Sequence, residues 1–234
     1  MKIFTHKPED IETFHKLFRA YRSHDGFGHW FRGQSNVAWP LLPKAGRVEY
    51  YLSENRDLGR FHDWCIHAVA YCTLPPTKIE SLSIAQHHGL ATRLLDWTMN
   101  PLVAAYFCCI ENQQTDGSIY VLETPENLVE DDLDFEFLKK YNGVVGYMPK
   151  FISPRMLNQR ALFTIHCDAK NEIPIIESVV KNGEPNLTRI LIEAKLKQEI
   201  IKMLDDYGIN QVSLFPDLDG LSIYMNNKTE LMKK

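Results

Sequence analysis

The chain has 234 residues, a formal net charge of -4, 44% hydrophobic and 24% charged residues. That length and composition fit one large globular domain with a sizeable core. They exclude bulk attraction to nucleic acid or acidic membranes, although a local basic cleft stays open, and no stretch has the roughly 20 apolar residues of a membrane-spanning helix.

"PEDIETFHKLFRAYRS" (Pro8–Ser23) puts Ile11, Phe14, Leu17, Phe18 and Tyr21 at helical spacing, with Pro8 suited to the first turn. "DGFG" is a turn, and "HWFRGQ" (His29–Gln34) reads as a short strand. From Val48 to Cys72 the stripe of Phe61, Trp64, Cys65, Ala68 and Cys72 is helical again. Consecutive prolines break it at "LPPTKIESLS". Thr77 with Glu80, or Ser83 with Gln86, has capping-box spacing for the next helix, which should end at Gly89. In "TMNPLVAAYFCCI", Asn100 is an N-cap and Pro101 the first residue of a helix apolar all round, hence central.

"SIYVLET", "ALFTIH" and "TRILIEA" read as buried strands, and "ENLVEDDLDFEFLKK" as an acidic surface excursion with a short helix. "KLKQEIIKMLDDYG" is an amphipathic helix closed by Gly208. "VSLFP" reads as a last strand, and "DLDGLSIYMNNK" as a terminal helix capped by aspartate. Helices early and strands late suggest an α+β fold.

The five cysteines have no disulfide or zinc spacing, and the N-terminus has no signal-peptide run. A cytoplasmic protein with reduced thiols is expected, with no metal and no membrane contact.

Four clusters carry chemistry. Arg32 lies between aromatics and Gly33, where its planar fork suits a phosphate or carboxylate. Gly33 would let a ligand near the backbone. The alternative is a buried ion pair. His87 and His88 end a helix and point about 100° apart, so one packs and one acts. In "TRLLDWT", Arg93 and Asp96 are spaced to pair, Trp97 offers a flat face, and Thr98 precedes the Asn100 cap, whose helix N–H groups suit an anion. The alternative is a polar network locking a loop over the core. "SPRMLNQRALF" carries Arg155, Gln159 and Arg160 up to a strand.

Together, "FRGQ", "LLPKAGR", "AQHHGLATRLLDWTMNPLVAAYF", "SPRMLNQRALFTIH" and "LFPDLDGL" resemble the FRG domain family of bacteria and phages, over about Trp30 to Leu221. Ala91 stands where that family usually has proline, and Ala161 where glycine is common. The pattern is also distantly similar to the three motifs of ADP-ribosyltransferases. Arg32-Gly33 matches the Arg-Gly strand end. Asp96-Trp97-Thr98, followed by Ala104 and Phe107, matches the strand that runs into the Ala-x-x-Phe helix. Gln159 takes the place of the late glutamate.

The resemblance implies a single domain over 1–234, its motif-bearing core at about 28–222. It implies a helical N-terminal half packed on a mostly antiparallel split sheet. NAD would be the substrate, with a nucleic-acid or protein target, in phage defence or as a toxin effector. Arg32, His88, Thr98 and Gln159 would be catalytic. Arg32, Gly33, Gln34, Gln86, His87, Thr92, Arg93, Asp96, Trp97, Asn100 and Arg155 would contact the nucleotide ligand. Gln159 is neutral, so Asp96, Asp217 or His88 would have to act as base. A non-enzymatic module recognising a ligand or partner is the second expectation. A nuclease is the weakest, because no carboxylates show two-metal spacing.

Overall fold

The computed structural model describes residues 4–21, 28–123, 128–129, 135–136, 143–150, 153–171, 173 and 187–232. These form an α+β fold around one mixed sheet of eight strands in the order β1-β8-β4-β2-β3-β7-β6-β5. The strands are β1 (Phe4–His6), β2 (His29–Gln34), β3 (Leu94–Thr98), β4 (Gly117–Glu123), β5 (Leu128–Val129), β6 (Val144–Tyr147), β7 (Ala161–His166) and β8 (Leu187–Ile192). Neighbours run antiparallel except at the two edges, where β1 joins β8 and β5 joins β6 in parallel.

The sheet is nearly divided at its centre. Strand β2 pairs with β4 from His29 through Gln34, and β3 pairs with β7 along its whole length. Between β2 and β3 the register holds only at Phe31 opposite Thr98. Beyond that point the two strands diverge, and the wedge between them positions the site.

Helices α1 (Ile11–Ala20), α4 (Pro101–Cys109) and α6 (Ala194–Asp206) cover one half of the sheet. Phe14, Val103, Ala104 and Ile200 there meet Phe31, Ile119 and Ile190. On the other half α2 (Arg56–Ala68) and α3 (Lys78–His87) bring Phe61, Ile79 and Leu82 onto Leu94, Phe163 and Ile165. Side chains alternate along a strand, so Trp30, Leu95, Trp97, Tyr120 and Leu162 form a third cluster on the opposite face. The N-terminal half therefore supplies helices and also the central strands.

Several local signals act as the sequence suggests. Asn100 Oδ1 accepts the Leu102 N–H at 3.0 Å and Pro101 opens α4. Thr77 caps α3, and Gly89 follows that helix with a positive φ of 90°. Asp217 accepts the Gly220 N–H at 2.7 Å as α8 (Leu218–Met232) begins.

Other expectations are corrected. The first helix starts after Asp10, whose carboxylate accepts the Thr13 N–H at 2.8 Å, rather than at Pro8. The helix expected from Val48 begins only at Arg56, because Glu54 and Asn55 adopt positive φ of 58° and 57°. "VSLFP" is not a strand. Asn210 and Ser213 cap each other's backbone and close the short helix α7 (Gln211–Leu214). "SPRMLNQ", which leads up to the expected strand β7, is itself a helix, α5 (Pro154–Gln159), opened by the Ser153 cap. Most of "ENLVEDDLDFEFLKK" lies outside the described residues.

Gly33 has a packing reason. A Cβ there would lie 1.9 Å from the Ala104 carbonyl oxygen and 2.6 Å from the Cys108 nitrogen. Helix α4 thus rests directly on the β2 backbone. That contact requires the glycine, and Gly33 also lines the cavity into which the wedge between β2 and β3 opens, as the sequence suggests. Lys197, fully buried on α6, donates to the carbonyls of Ser35 at 2.7 Å, Asn112 at 3.0 Å and Glu111 at 3.3 Å. It pins the chain leaving β2.

On the far face Trp97 Nε1–H donates to Thr164 Oγ1 at 3.0 Å, and His166 Nδ1–H donates to the Asn171 carbonyl at 2.6 Å. Burial pushes the His166 pKa from its ordinary 6.5 down to about 4, with Arg32 and Arg93 adding to the fall. Between those two values the unfolded chain binds a proton that the folded chain refuses. Stability is therefore complete above pH 6.5 and declines as pH falls toward 4, by on the order of 3 kcal/mol from this residue. Urea unfolding midpoints measured from pH 7 to pH 4.5 should drop more steeply for the wild type than for His166→Gln. Parallel curves would rule out this assignment.

Candidate functional site

The wedge between β2 and β3 opens into a cavity of about 620 Å³, within the range of small-molecule sites, roughly 300–1,000 Å³. Arg32 fills its base. Its Nη1 donates to the Asp96 backbone carbonyl at 2.7 Å, replacing a missing strand-to-strand bond, and lies 3.8 Å from the Asp96 carboxylate. Arg32 Nε is buried with no protein partner. Burial lowers the Arg32 pKa, and the Asp96 charge opposes that fall.

Asp96 points into the cavity with 57% of its side chain exposed. Gln86 Nε2 donates to Asp96 Oδ2 at 3.0 Å, and Thr92 Oγ1 donates to Gln86 Oε1 at 2.7 Å. A relay from Thr92 through Gln86 therefore orients the carboxylate. Thr92 itself is buried, does not line the cavity, and acts through Gln86.

His87 lines the cavity, while His88 is exposed and stands outside it. The two rings meet edge-on at 5.1 Å. Burial lowers the His87 pKa, helped by Arg155 and His88 and opposed by Asp96 and Asp217. The catalytic expectation for His88 is corrected accordingly: of the pair, His87 faces the site.

Arg155, on α5, stacks over the Phe215 ring at 4.5 Å and has an unpartnered, buried Nε. Its pKa is lowered by burial, with Asp96 and Asp217 opposing. Gln159 also lines the cavity, but its Nε2 donates to the Leu214 carbonyl at 3.0 Å, tying α5 to α7. Thr98 Oγ1 donates to the Gln159 carbonyl at 2.6 Å and accepts the Asn100 N–H at 3.0 Å. Both residues hold the cavity wall: the Thr98 hydroxyl proton and one N–H of the Gln159 amide are committed to backbone carbonyls.

Three other expectations fail. Arg93 does not pair with Asp96 or enter the cavity. It is 1% exposed and grips both oxygens of Asp57 at 2.9 and 2.7 Å, with further bonds to Cys167 O and Asn55 Oδ1. Trp97 borders the cavity, but it is 3% exposed with its indole packed in the far-face core, so it offers no open ring. Asn100 stands outside the cavity, and the first N–H groups of α4 are taken by its side chain and carbonyl. No free helix terminus awaits an anion there.

The sequence reading missed the aromatic surfaces. Trp39, 44% exposed, and Phe107 and Phe215 line the cavity, as does exposed Arg47. "LLPKAGR" contained Arg47 without marking its role, and Trp39 beside Pro40 was the available aromatic signal.

Residues 28–117 match the family model of the FRG domain. The FRG match takes in β2, α2, α3, β3 and α4, which together carry Arg32, Gln34, Gln86 and Asp96. Arg155, Gln159 and Phe215 lie beyond it and close the cavity from the C-terminal side. No curated protein and no solved structure matches the chain. Among the described residues no group of three or more His, Cys, Asp or Glu could hold a metal, and no helix is long and apolar enough to cross a membrane.

Proposed function

We propose that this cleft binds a nucleotide of the NAD class and that the protein is an ADP-ribosyltransferase-like enzyme of phage defence or a toxin effector. The observation that carries the reading is Arg32. Arg32 lines a cavity of about 620 Å³, beside the single register pair of β2 and β3, with a buried donor left unpaired. A buried N–H without a partner is unfavourable unless a ligand or water accepts it. Arg47 and Arg155 add positive charge, and Trp39, Phe107 and Phe215 offer faces for rings.

In this reading the bond between nicotinamide nitrogen and ribose C1′ breaks, and nicotinamide leaves with the bonding pair. Asp96 faces the positive charge that develops on the ribose. An acceptor O–H or N–H then bonds to C1′, and its proton passes to Asp96. Gln159, expected in the glutamate's place, has no charge to give. Its amide positions α7 instead.

A second reading has one observation in its favour. Gln159 is neutral and bound to Leu214, as a recognition module without turnover would allow. Two measurements separate the readings. Thermal shift with NAD and ADP-ribose reads binding, because a ligand at 100 times its Kd adds about 2.7 kcal/mol. Release of free nicotinamide in the presence of cell extract reads transfer. Arg32→Ala should weaken NAD binding about 10- to 100-fold, the worth of a charged hydrogen bond. Arg32→Lys should recover little, since it lacks the planar fork. Neither binding at millimolar NAD nor nicotinamide release would end the proposal, whereas binding without release selects the recognition module.

A further inference from the structure

Gln34 lies two residues after Arg32 on β2, so both side chains leave the same face of the sheet, about 7 Å apart. Gln34 is 4% exposed and lines the cleft. Its Nε2 donates to the Pro40 carbonyl at 3.2 Å, which fixes the amide's orientation. The amide oxygen is left buried without a protein partner. Ser118, opposite Gln34 in the β4 register, has a buried hydroxyl that does not bond it. An unpaired acceptor of this kind is unfavourable until something donates to it.

The chemistry of that donor is constrained. Phosphate and carboxylate oxygens only accept, so neither suits Gln34. An O–H or N–H is required. On one side of Gln34 stands Arg32, which wants an acceptor. Exposed Arg47 lines the same cleft, has no ion pair among the described residues, and its charge acts on Arg32. The half-exposed Trp39 also lines the cleft and directly precedes Pro40, whose carbonyl holds the Gln34 amide. An anion for the arginines, a hydroxyl for Gln34 and a ring for Trp39 are together the parts of a nucleoside 5′-phosphate.

We infer that Gln34 accepts a hydrogen bond from a ribose hydroxyl of the ligand, so that the cleft selects ribosyl phosphates over their deoxy counterparts. The inference rests on reading the cleft as a nucleotide site. It adds a specificity residue that the resemblance to ADP-ribosyltransferases placed only among general ligand contacts. A site built around a hydroxyl rejects the analogue lacking it because its own polar group stays unpaired.

The test is calorimetric titration of the full chain with AMP, 2′-deoxy-AMP and 3′-deoxy-AMP. The wild type should bind at least one deoxy analogue about 10- to 100-fold more weakly than AMP. Gln34→Met, similar in shape but without the acceptor, should bind AMP and that analogue equally, at the affinity the wild type shows for the analogue. If the wild type binds all three within about threefold, the role of Gln34 is overturned while the nucleotide site stands. If Gln34→Met keeps the preference, another residue reads the hydroxyl and the inference fails. If the wild type binds none of them, this inference falls, while the nucleotide reading is decided by the NAD titration above. Should Gln34→Met not fold, the wild-type preference alone decides, since its absence refutes the inference and its presence supports it.

Discussion

Arg93→Ala is expected to destabilise the fold by about 3–5 kcal/mol, the usual penalty for breaking one side of a buried ion pair. Arg93 and Asp57 are 1% and 5% exposed, and the two charges meet through two parallel bonds. Removing the guanidinium strands the Asp57 carboxylate in the interior. It also unbinds the Cys167 carbonyl and the Asn55 side chain. Asp57 lies in the first turn of α2, where the helix terminus favours an anion, but that effect is worth up to about 2 kcal/mol and does not replace Arg93. Asp57→Leu combined with Arg93→Met should recover most of the loss, because hydrophobic replacement of a buried pair is often close to neutral. Urea denaturation of the single and double variants measures this. A loss below about 1 kcal/mol in Arg93→Ala would mean that the pair is solvated and exchanging, in the manner of a surface salt bridge.

Arg93 also shows where sequence reading stops. Arg32 and Arg93 carry the same chemical signal. Which one faces the cleft is decided by Asp57, 36 residues before Arg93 in the chain, and no local pattern contains that fact. Trp97 is ambiguous for a related reason. A tryptophan suits an open site and a core equally, and parity does not separate them here, because Trp97 leaves the sheet on the same face as Trp30, Arg32 and Gln34 and is buried there by Leu95 and Leu162. Strand β3 was itself obscure. Its buried residues include Leu94 and Leu95 in succession because both sheet faces are covered there, so the alternation that marks a half-exposed strand is absent.

Other features were local, and hence legible. Asn100-Pro101 and Gly89 mark helix ends through backbone geometry alone. Strand β2 follows from "HWFRGQ" and brings Arg32 and Gln34 to one face. Helix α5 carries the same cap-then-proline signal at Ser153-Pro154. The short α7 rests on reciprocal capping by Asn210 and Ser213, a tight local device that four apolar or aromatic letters in "VSLFP" hide.

Asp96→Asn is expected to lower nicotinamide release by about 10²- to 10⁴-fold, the range for loss of a positioned base and facing charge. NAD affinity should stay within a few fold. The substitution keeps the shape and leaves an amide oxygen for Gln86 Nε2, which holds the present carboxylate at 3.0 Å. The 3.8 Å separation between Arg32 and the Asp96 carboxylate makes their attraction a minor part of how Arg32 is placed, since the shorter bond at 2.7 Å goes to the Asp96 backbone. Arg32 therefore remains in position when the charge is removed, and binding and chemistry separate between the two residues. Gln159→Glu provides the contrast. It would bring a carboxylate against the Leu214 carbonyl that now accepts from the amide, so it should destabilise the α5–α7 contact and should not raise turnover. If Asp96→Asn releases nicotinamide at the wild-type rate while Gln159→Glu accelerates it, the charge that drives the reaction sits on α5, and the assignment of Asp96 is wrong.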